Sequence, residues 1–72
     1  MDEDRELGLR VGRNLRRMIC TSPYKTLAGF ALAFGVDVRT VGRWVREGVY
    51  DLCTVAQLAR FFGVDPLTLL AE

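Results

Sequence analysis

The sequence of 72 residues contains no histidine and only two cysteines. A structural zinc site normally uses four cysteine or histidine ligands, so we expect no bound metal. The absence of histidine also removes the most common general base, and the sequence shows no other nucleophile–base pair. These absences argue against an enzyme, and we expect the protein to need no cofactor.

Long apolar runs are absent as well, because no stretch approaches the roughly 18 apolar residues that a membrane span requires. The first four residues, Met-Asp-Glu-Asp, are acidic where a secretory signal is basic and then apolar. We therefore expect a cytoplasmic protein with no membrane partner. In that reducing compartment we expect Cys20 and Cys53 to be buried thiols, and a single disulfide is the alternative.

The pattern of apolar residues predicts helices and no strands. Leu7, Val11, Leu15 and Met18 recur at spacings of three or four residues, which places them on one stripe of a helix. We predict an all-α fold, a compact single domain over residues 1–72, with five helices over residues 4–19, 27–34, 38–46, 55–62 and 66–70. Residues 1–6 form an acidic N-terminus that this prediction allows to be disordered. Residues that favour helix N-caps precede the last four helices: Thr26, Asp37, Thr54 and Asp65.

The net charge of +1 is an average over three segments of different sign. Residues 1–6 hold four carboxylates and one arginine, and residues 47–72 hold the same numbers, so each segment carries −3. Residues 7–46 hold eight cations and one carboxylate, which gives +7. A basic middle is the electrostatic footprint that phosphate binding requires, although solvated arginine-rich helix faces produce the same pattern.

Residues 27–46 carry the most specific pattern in the chain, two short helices joined by a turn that contains glycine. Ala31 is small enough to let the second of these helices approach closely, and Gly35 supplies a turn with positive φ. Apolar residues fill the angle between the two helices: Phe30, Phe34, Val36, Val41 and Trp44. This spacing is typical of a helix-turn-helix, whose second helix reads the major groove of DNA.

With the apolar residues directed inward, the outer positions of helix 38–46 are the predicted contacts with base edges: Val38, Arg39, Gly42 and Arg43. The arginines suit guanine, Val38 suits a thymine methyl group, and Gly42 lets the helix sit deep in the groove. The alternative is that the arginines meet only phosphate or water. The predicted phosphate contacts lie on this helix and in the segments before and after it: Lys25, Thr26, Thr40, Arg46 and Tyr50.

The sequence resembles the Cro/C1-type (XRE-like) helix-turn-helix family of phage repressors and bacterial transcription regulators. VGRNLRRM resembles the first helix of the family and LARFFGVDPLTLL its closing helices, while core and turn positions are occupied by Ala31, Gly35-Val36, Thr40-Val41 and Arg43-Trp44. The resemblance implies a five-helix repressor-like fold that binds operator DNA in a bacterial cell or a phage-infected host. Leu27 stands where the family often has a base-contacting glutamine, so the resemblance implies no target sequence.

We expect double-stranded operator DNA as the partner, and the sequence leaves open whether the protein binds paired half-sites as a homodimer. Leu67, Leu69 and Leu70 are the candidate dimer residues, and core packing would use these leucines equally well. Two alternatives remain open from the sequence. An antitoxin-like protein-interaction module predicts an exposed apolar patch. The segment TVGRWVREG also resembles the helix-turn-helix of excisionases. An excisionase-like architectural DNA-binding protein would have a β-wing after the recognition helix.

Overall fold

A computed structural model describes residues 2–71, which form five helices. In chain order they are α1 (Asp2–Thr21), α2 (Leu27–Phe34), α3 (Val38–Glu47), α4 (Leu52–Phe62) and α5 (Pro66–Leu70). Residues 2–71 contain no strand. The predicted all-α class with five helices is therefore confirmed. Within the same residues, no helix has the length and apolar character needed to cross a membrane.

The helix boundaries agree with the prediction for α2 and α5 and differ for α1 and α4. Helix α1 begins at Asp2, so residues 2–6 are helical rather than disordered. Helix α4 begins three residues earlier than predicted, because Asp51 and not Thr54 is its N-cap. The Asp51 carboxylate accepts hydrogen bonds from the amide and the hydroxyl of Thr54, at 3.1 and 2.8 Å. An aspartate competes well with a threonine for this role.

The predicted caps around α2, α3 and α5 are confirmed. The Thr26 hydroxyl accepts a hydrogen bond from the Gly29 amide at 3.0 Å, and the Asp65 carboxylate accepts one from the Leu67 amide at 2.8 Å. Gly35 ends α2 with φ at 93°, in the left-handed region that glycine adopts without a steric penalty. Three residues, 35–37, therefore separate α2 from α3.

The core lies between α1 and the other four helices. Its largest fully buried side chains come from every helix: Val11, Leu15, Ile19, Phe30, Val41, Leu58 and Leu69. The Phe30 ring stacks on Phe34 at 5.2 Å and on Phe62 at 5.4 Å between centroids, and it meets Phe61 edge-on. Phe34 in turn contacts Trp44 of α3 edge-on at 6.0 Å. Aromatic packing thus joins α2 to both α3 and α4.

One buried polar side chain, that of Asn14, links the C-terminal end of α5 to the middle of α1 through hydrogen bonds. Its amide nitrogen donates to the carbonyl oxygens of Leu69 and Ala71, each at 2.7 Å. These oxygens are at the C-terminus of α5, where a helix has no internal donors left for its last carbonyls. Asn14 supplies those donors from 55 and 57 residues away.

Two glycines of α1 allow the backbone of α3 and its following loop to approach closely. The Val49 amide donates to the Gly8 carbonyl oxygen at 3.0 Å, and the Tyr50 ring lies directly against the Gly8 α-carbon. At Gly12, the nearest atom to an added methyl group would be the carbonyl oxygen of Trp44. The sequence marks both glycines only as weak helix formers, whereas the structure shows them to be the contact surface between α1 and α3.

Three predicted burial assignments are wrong. Cys20 and Cys53 are exposed rather than buried, and each is a free thiol. Leu7 lies on the predicted core stripe but is 41% exposed, because it stands at the rim of a concave surface that it forms with Val49 and Tyr50. Of the candidate dimer leucines, Leu69 is fully buried in the core, while Leu67 is exposed.

Gly12 and Gly42 are both buried within helices, but they should respond in opposite ways to substitution by alanine. Alanine favours a helix over glycine by up to ~1 kcal/mol. At Gly12 the added methyl group overlaps the Trp44 carbonyl oxygen, so Gly12→Ala should lower the free energy of unfolding by about 1–3 kcal/mol. At Gly42 the nearest atom is Nη1 of Arg46 at 3.3 Å, at the end of a flexible side chain that can move.

Gly42→Ala is therefore the matched control, and its free energy of unfolding should be unchanged or higher. Urea denaturation followed by circular dichroism measures both values. Equal stability of the two variants would show that the α1–α3 contact does not depend on Gly12.

Candidate nucleic-acid interface

The outward face of α3 is formed by three arginines at helical spacing. Arg39, Arg43 and Arg46 are four and three residues apart, so they share one face, and all three are exposed. The opposite face carries Val41, which is fully buried, and Trp44, which packs against the core. The inward and outward faces of α3 therefore match those predicted from the sequence for these residues.

Asp37 begins α3 and also orients Arg39. Its Oδ1 accepts a hydrogen bond from the Arg39 amide at 2.7 Å and a weaker one from the Arg39 Nε at 3.4 Å. These two bonds, the amide bond first, hold the pKa of the Asp37 carboxyl below its usual range. The Arg39 side chain remains 91% exposed, so its guanidinium nitrogens stay open to solvent.

Arg43 and Arg46 make no hydrogen bond or ion pair through their side chains within residues 2–71. Their guanidinium donors are therefore open to a ligand. Arg10 and Arg13 of α1 differ, because both donate to the Glu6 carboxylate, at 3.3 and 2.9 Å. The bond from Arg13 and then that from Arg10 lower the pKa of Glu6, so this carboxylate stays charged beside them.

The placement of Gly42 on the outer surface is wrong, because Gly42 is buried. The Arg46 side chain covers it, because Nη1 of Arg46 lies 3.3 Å from the position that an added methyl group would take. Val38, at the first position of α3, is 43% exposed, so it is accessible as predicted. The exposed residues of α3 are thus Val38, the three arginines and, at its C-terminal end, Glu47.

A cleft beside α3 brings together cations from three parts of the chain. Its volume is about 310 Å³, and its lining residues are Arg16, Cys20, Lys25, Leu27, Gly42, Val45 and Arg46. We call it the basic cleft, since its charged lining residues are two arginines and one lysine. None of these three cations forms an ion pair in the part of the chain that the structure describes.

Lys25 reaches the basic cleft from an unusual backbone position. Its φ is 62°, in the left-handed region where a side chain costs about 1 kcal/mol relative to glycine. The adjacent Thr26 amide donates to the Tyr24 carbonyl oxygen at 2.6 Å, which fixes this turn. Thr26 then caps α2, whose first amides have no partner within the helix. The Lys25 side chain, the Thr26 cap and the free amides at the start of α2 are therefore neighbours.

The other two predicted phosphate contacts are placed differently. Thr40 is half-buried on the flank of α3 away from the basic cleft. Tyr50 donates its hydroxyl hydrogen to the Glu47 carbonyl oxygen at 2.8 Å. A phosphate oxygen is an acceptor and would need that hydrogen. Tyr50 is therefore not retained among the candidate phosphate contacts, and its ring instead covers Gly8.

The sequence did not single out Arg16. Helix α1 carries five arginines: Arg5, Arg10, Arg13, Arg16 and Arg17. The signal that sets two of them apart is the position of Glu6, four residues before Arg10 and seven before Arg13. Both spacings place the carboxylate on the same face as those two arginines. Arg16 lies outside this cluster and faces the basic cleft.

No family model matches the chain, and no curated protein or solved structure is significantly similar to it. Its function is therefore inferred from its own residues.

Asp37 should make the stability of α3 depend on pH in the acid range. Because the folded pKa is lowered, the stabilisation is present above the ordinary aspartate pKa and is lost as the pH falls through the folded value. Asp37→Ala should lower the melting temperature at neutral pH, and its difference from the parent protein should shrink in strongly acidic solution. Melting curves across this pH range measure the difference.

Asp37→Asn is the control, since asparagine also caps a helix but carries no charge. It should stay near the parent stability at neutral pH and lack this contribution to the pH dependence. A difference between parent and Asp37→Ala that does not vary with pH would exclude the charged cap.

Proposed function

We propose that the protein is a sequence-specific, double-stranded-DNA-binding transcription regulator of the Cro/C1 repressor type. In this proposal α2 and α3 act as a helix-turn-helix, and α3 enters the major groove. The observation that carries the proposal is the continuity of the outward arginines of α3 with the basic cleft. The protein would act without catalysis, in the cytoplasm of a bacterial cell or a phage-infected host.

The outward face of α3 has the chemistry of direct base readout. Arg39 and Arg43 are one helical turn apart, and a guanidinium can donate two hydrogen bonds to O6 and N7 of guanine. Arg43 has no competing partner among residues 2–71, and Arg39 is tethered only through its amide and Nε. Val38 adds an exposed apolar group beside them that suits a thymine methyl. We assign base contacts to these three residues.

The basic cleft has the chemistry of a phosphate contact. Arg16, Lys25 and Arg46 would surround one backbone phosphate, next to Thr26 and the free amides at the start of α2. Phosphate contacts position a protein on DNA and leave the sequence to be read by other residues. The strained backbone of Lys25 supports this assignment, because glycine would relieve the strain but would remove a charge from the cleft.

The charges of the remaining surface fit a protein that binds DNA through one face. Carboxylates are concentrated in residues 2–6 and 47–72, outside the segment that holds the basic cleft. An excisionase-type architecture is less well supported. The chain passes from α3 to α4 through residues 48–51 alone, and residues 2–71 contain no strand that would form a β-wing.

Arg43→Ala should relax the DNA preference at one base pair. Loss of a good bidentate contact costs about 1–3 kcal/mol of binding free energy on the preferred sequence and much less on others. Selection of bound duplexes from random DNA, run with the parent protein and with Arg43→Ala, measures this change. Arg60→Ala on α4 is the matched control, because Arg60 is exposed and lines no part of the basic cleft.

The proposal fails if the parent protein enriches no motif. If Arg43→Ala weakens every sequence equally, Arg43 contacts phosphate and does not read a base.

Arg16→Gln should weaken binding to all sequences and reduce its dependence on salt. Removal of one phosphate contact lowers the slope of log K against log salt by about 1. The selected motif should stay the same. Arg13→Gln is the control on the same helix, because Arg13 is already paired with Glu6. An unchanged slope for Arg16→Gln would exclude the basic cleft from the DNA contact.

A further inference from the structure

An apolar groove lies between α1, α4, α5 and the loop that follows α3. Its volume is about 440 Å³, and its lining residues are Asp4, Leu7, Gly8, Val11, Val49, Tyr50, Leu52, Val55 and Leu70. Val11, Val49 and Val55 form the floor, since each is at most 6% exposed. We call this feature the apolar groove. It shares no lining residue with the basic cleft.

Large apolar side chains stand at the edge of the apolar groove rather than inside it. Leu52 is 83% exposed at the first position of α4, and Tyr50 and Leu7 are 57% and 41% exposed. Three large side chains of this kind around one concave surface are unusual for a protein that meets only water there. Their burial by a partner would be favourable, at roughly 25 cal/mol per Å² of apolar surface.

The charges around the apolar groove are negative. Asp4 lines it, Asp51 directly precedes Leu52, and the exposed Glu47 lies in the chain two residues before Val49. The segments that supply the lining residues are residues 3–11, 47–59 and 65–71. Their carboxylates are Glu3, Asp4, Glu6, Glu47, Asp51 and Asp65, whereas their cations are Arg5 and Arg10, and Arg10 donates to Glu6. A partner that fits the apolar surface and also matches its charge must therefore be cationic.

A second copy of this chain does not meet these requirements. A symmetric contact would place one apolar groove against the other, so that Asp4, Glu47 and Asp51 of both copies would meet like charges. A head-to-tail contact would use the basic surface of the second copy, which the proposed function assigns to DNA. The charges therefore favour a different protein as the occupant.

We propose that the apolar groove binds a cationic amphipathic helix of another protein. Apolar residues of that helix, spaced three and four apart, would contact the groove floor and the side chain of Leu52. Lysines or arginines beside them would face Asp4, Glu47 and Asp51. This inference goes beyond the proposed function, and because the two surfaces share no residue, partner and DNA can be bound together.

The test uses a short synthetic helical peptide of leucine and lysine, with leucines at helical spacing. Binding is measured by fluorescence anisotropy, and the contact is mapped by amide chemical shifts of the labelled protein. A peptide with glutamate in place of every lysine tests the charge requirement. Leu52→Ser removes an exposed edge residue, and Leu32→Ser is the matched control, because Leu32 is 85% exposed on α2 and lines no part of the groove.

The lysine peptide should shift the amides of Leu7, Val49 and Leu52, and Leu52→Ser should weaken its binding on the order of tenfold. Leu32→Ser should leave the affinity unchanged, and the glutamate peptide should not bind. The proposal is overturned if the shifts map elsewhere, if the two serine variants behave alike, or if both peptides bind equally. A parent dimer that Leu52→Ser converts to a monomer in sedimentation would identify a second copy as the occupant and would also overturn it.

Discussion

The backbone contact between α1 and α3 is the constraint on which the rest of the structure depends. Gly8 and Gly12 have no side chains, so the C-terminal end of α3 and the Val49 amide lie against the backbone of α1. This contact fixes which face of α3 is turned inward, and it therefore directs Arg39, Arg43 and Arg46 outward. It also brings Arg16 to the flank of α3, where the basic cleft forms. The outward arginines of α3 and the basic cleft therefore both depend on Gly8 and Gly12, two residues without side chains.

The sequence predicted the helices well because their ends are set locally. Thr26, Asp37 and Asp65 each satisfy amides within three residues, and Gly35 ends α2 through its own φ, so no distant contact is needed. The start of α4 differs from the prediction because Asp51 and Thr54 both favour the N-cap position, and the sequence pattern alone does not decide between two such residues three positions apart. The length of α1 was underestimated because its acidic first turns resemble a free terminus, although carboxylates there favour the helix dipole.

The candidate site was predicted less completely because it depends on contacts between distant residues. The helical period correctly directs Arg39, Arg43 and Arg46 outward, but it cannot tell that the Arg46 side chain covers Gly42. Arg16 and Lys25 meet only after α1 and α2 have packed, and periodicity within one helix carries no information about that distance. Tyr50 was assigned to phosphate from its hydroxyl alone, and the Glu47 carbonyl that takes its hydrogen becomes visible only in three dimensions.

The hydrogen bonds of Asn14 have a consequence for the order in which the protein folds. They join the middle of the first helix to residues 55 and 57 positions later, so they cannot form until Ala71 has been synthesised. Among the five helices, α1 is made first, and its apolar stripe stays uncovered until α3 and α5 have been made, because those helices complete its packing. Short turns join the remaining helices, so the contacts between them are local in the sequence and form readily. Of the five helices, α1 is therefore made first and packed last, and its apolar stripe stays exposed until α5 has been synthesised.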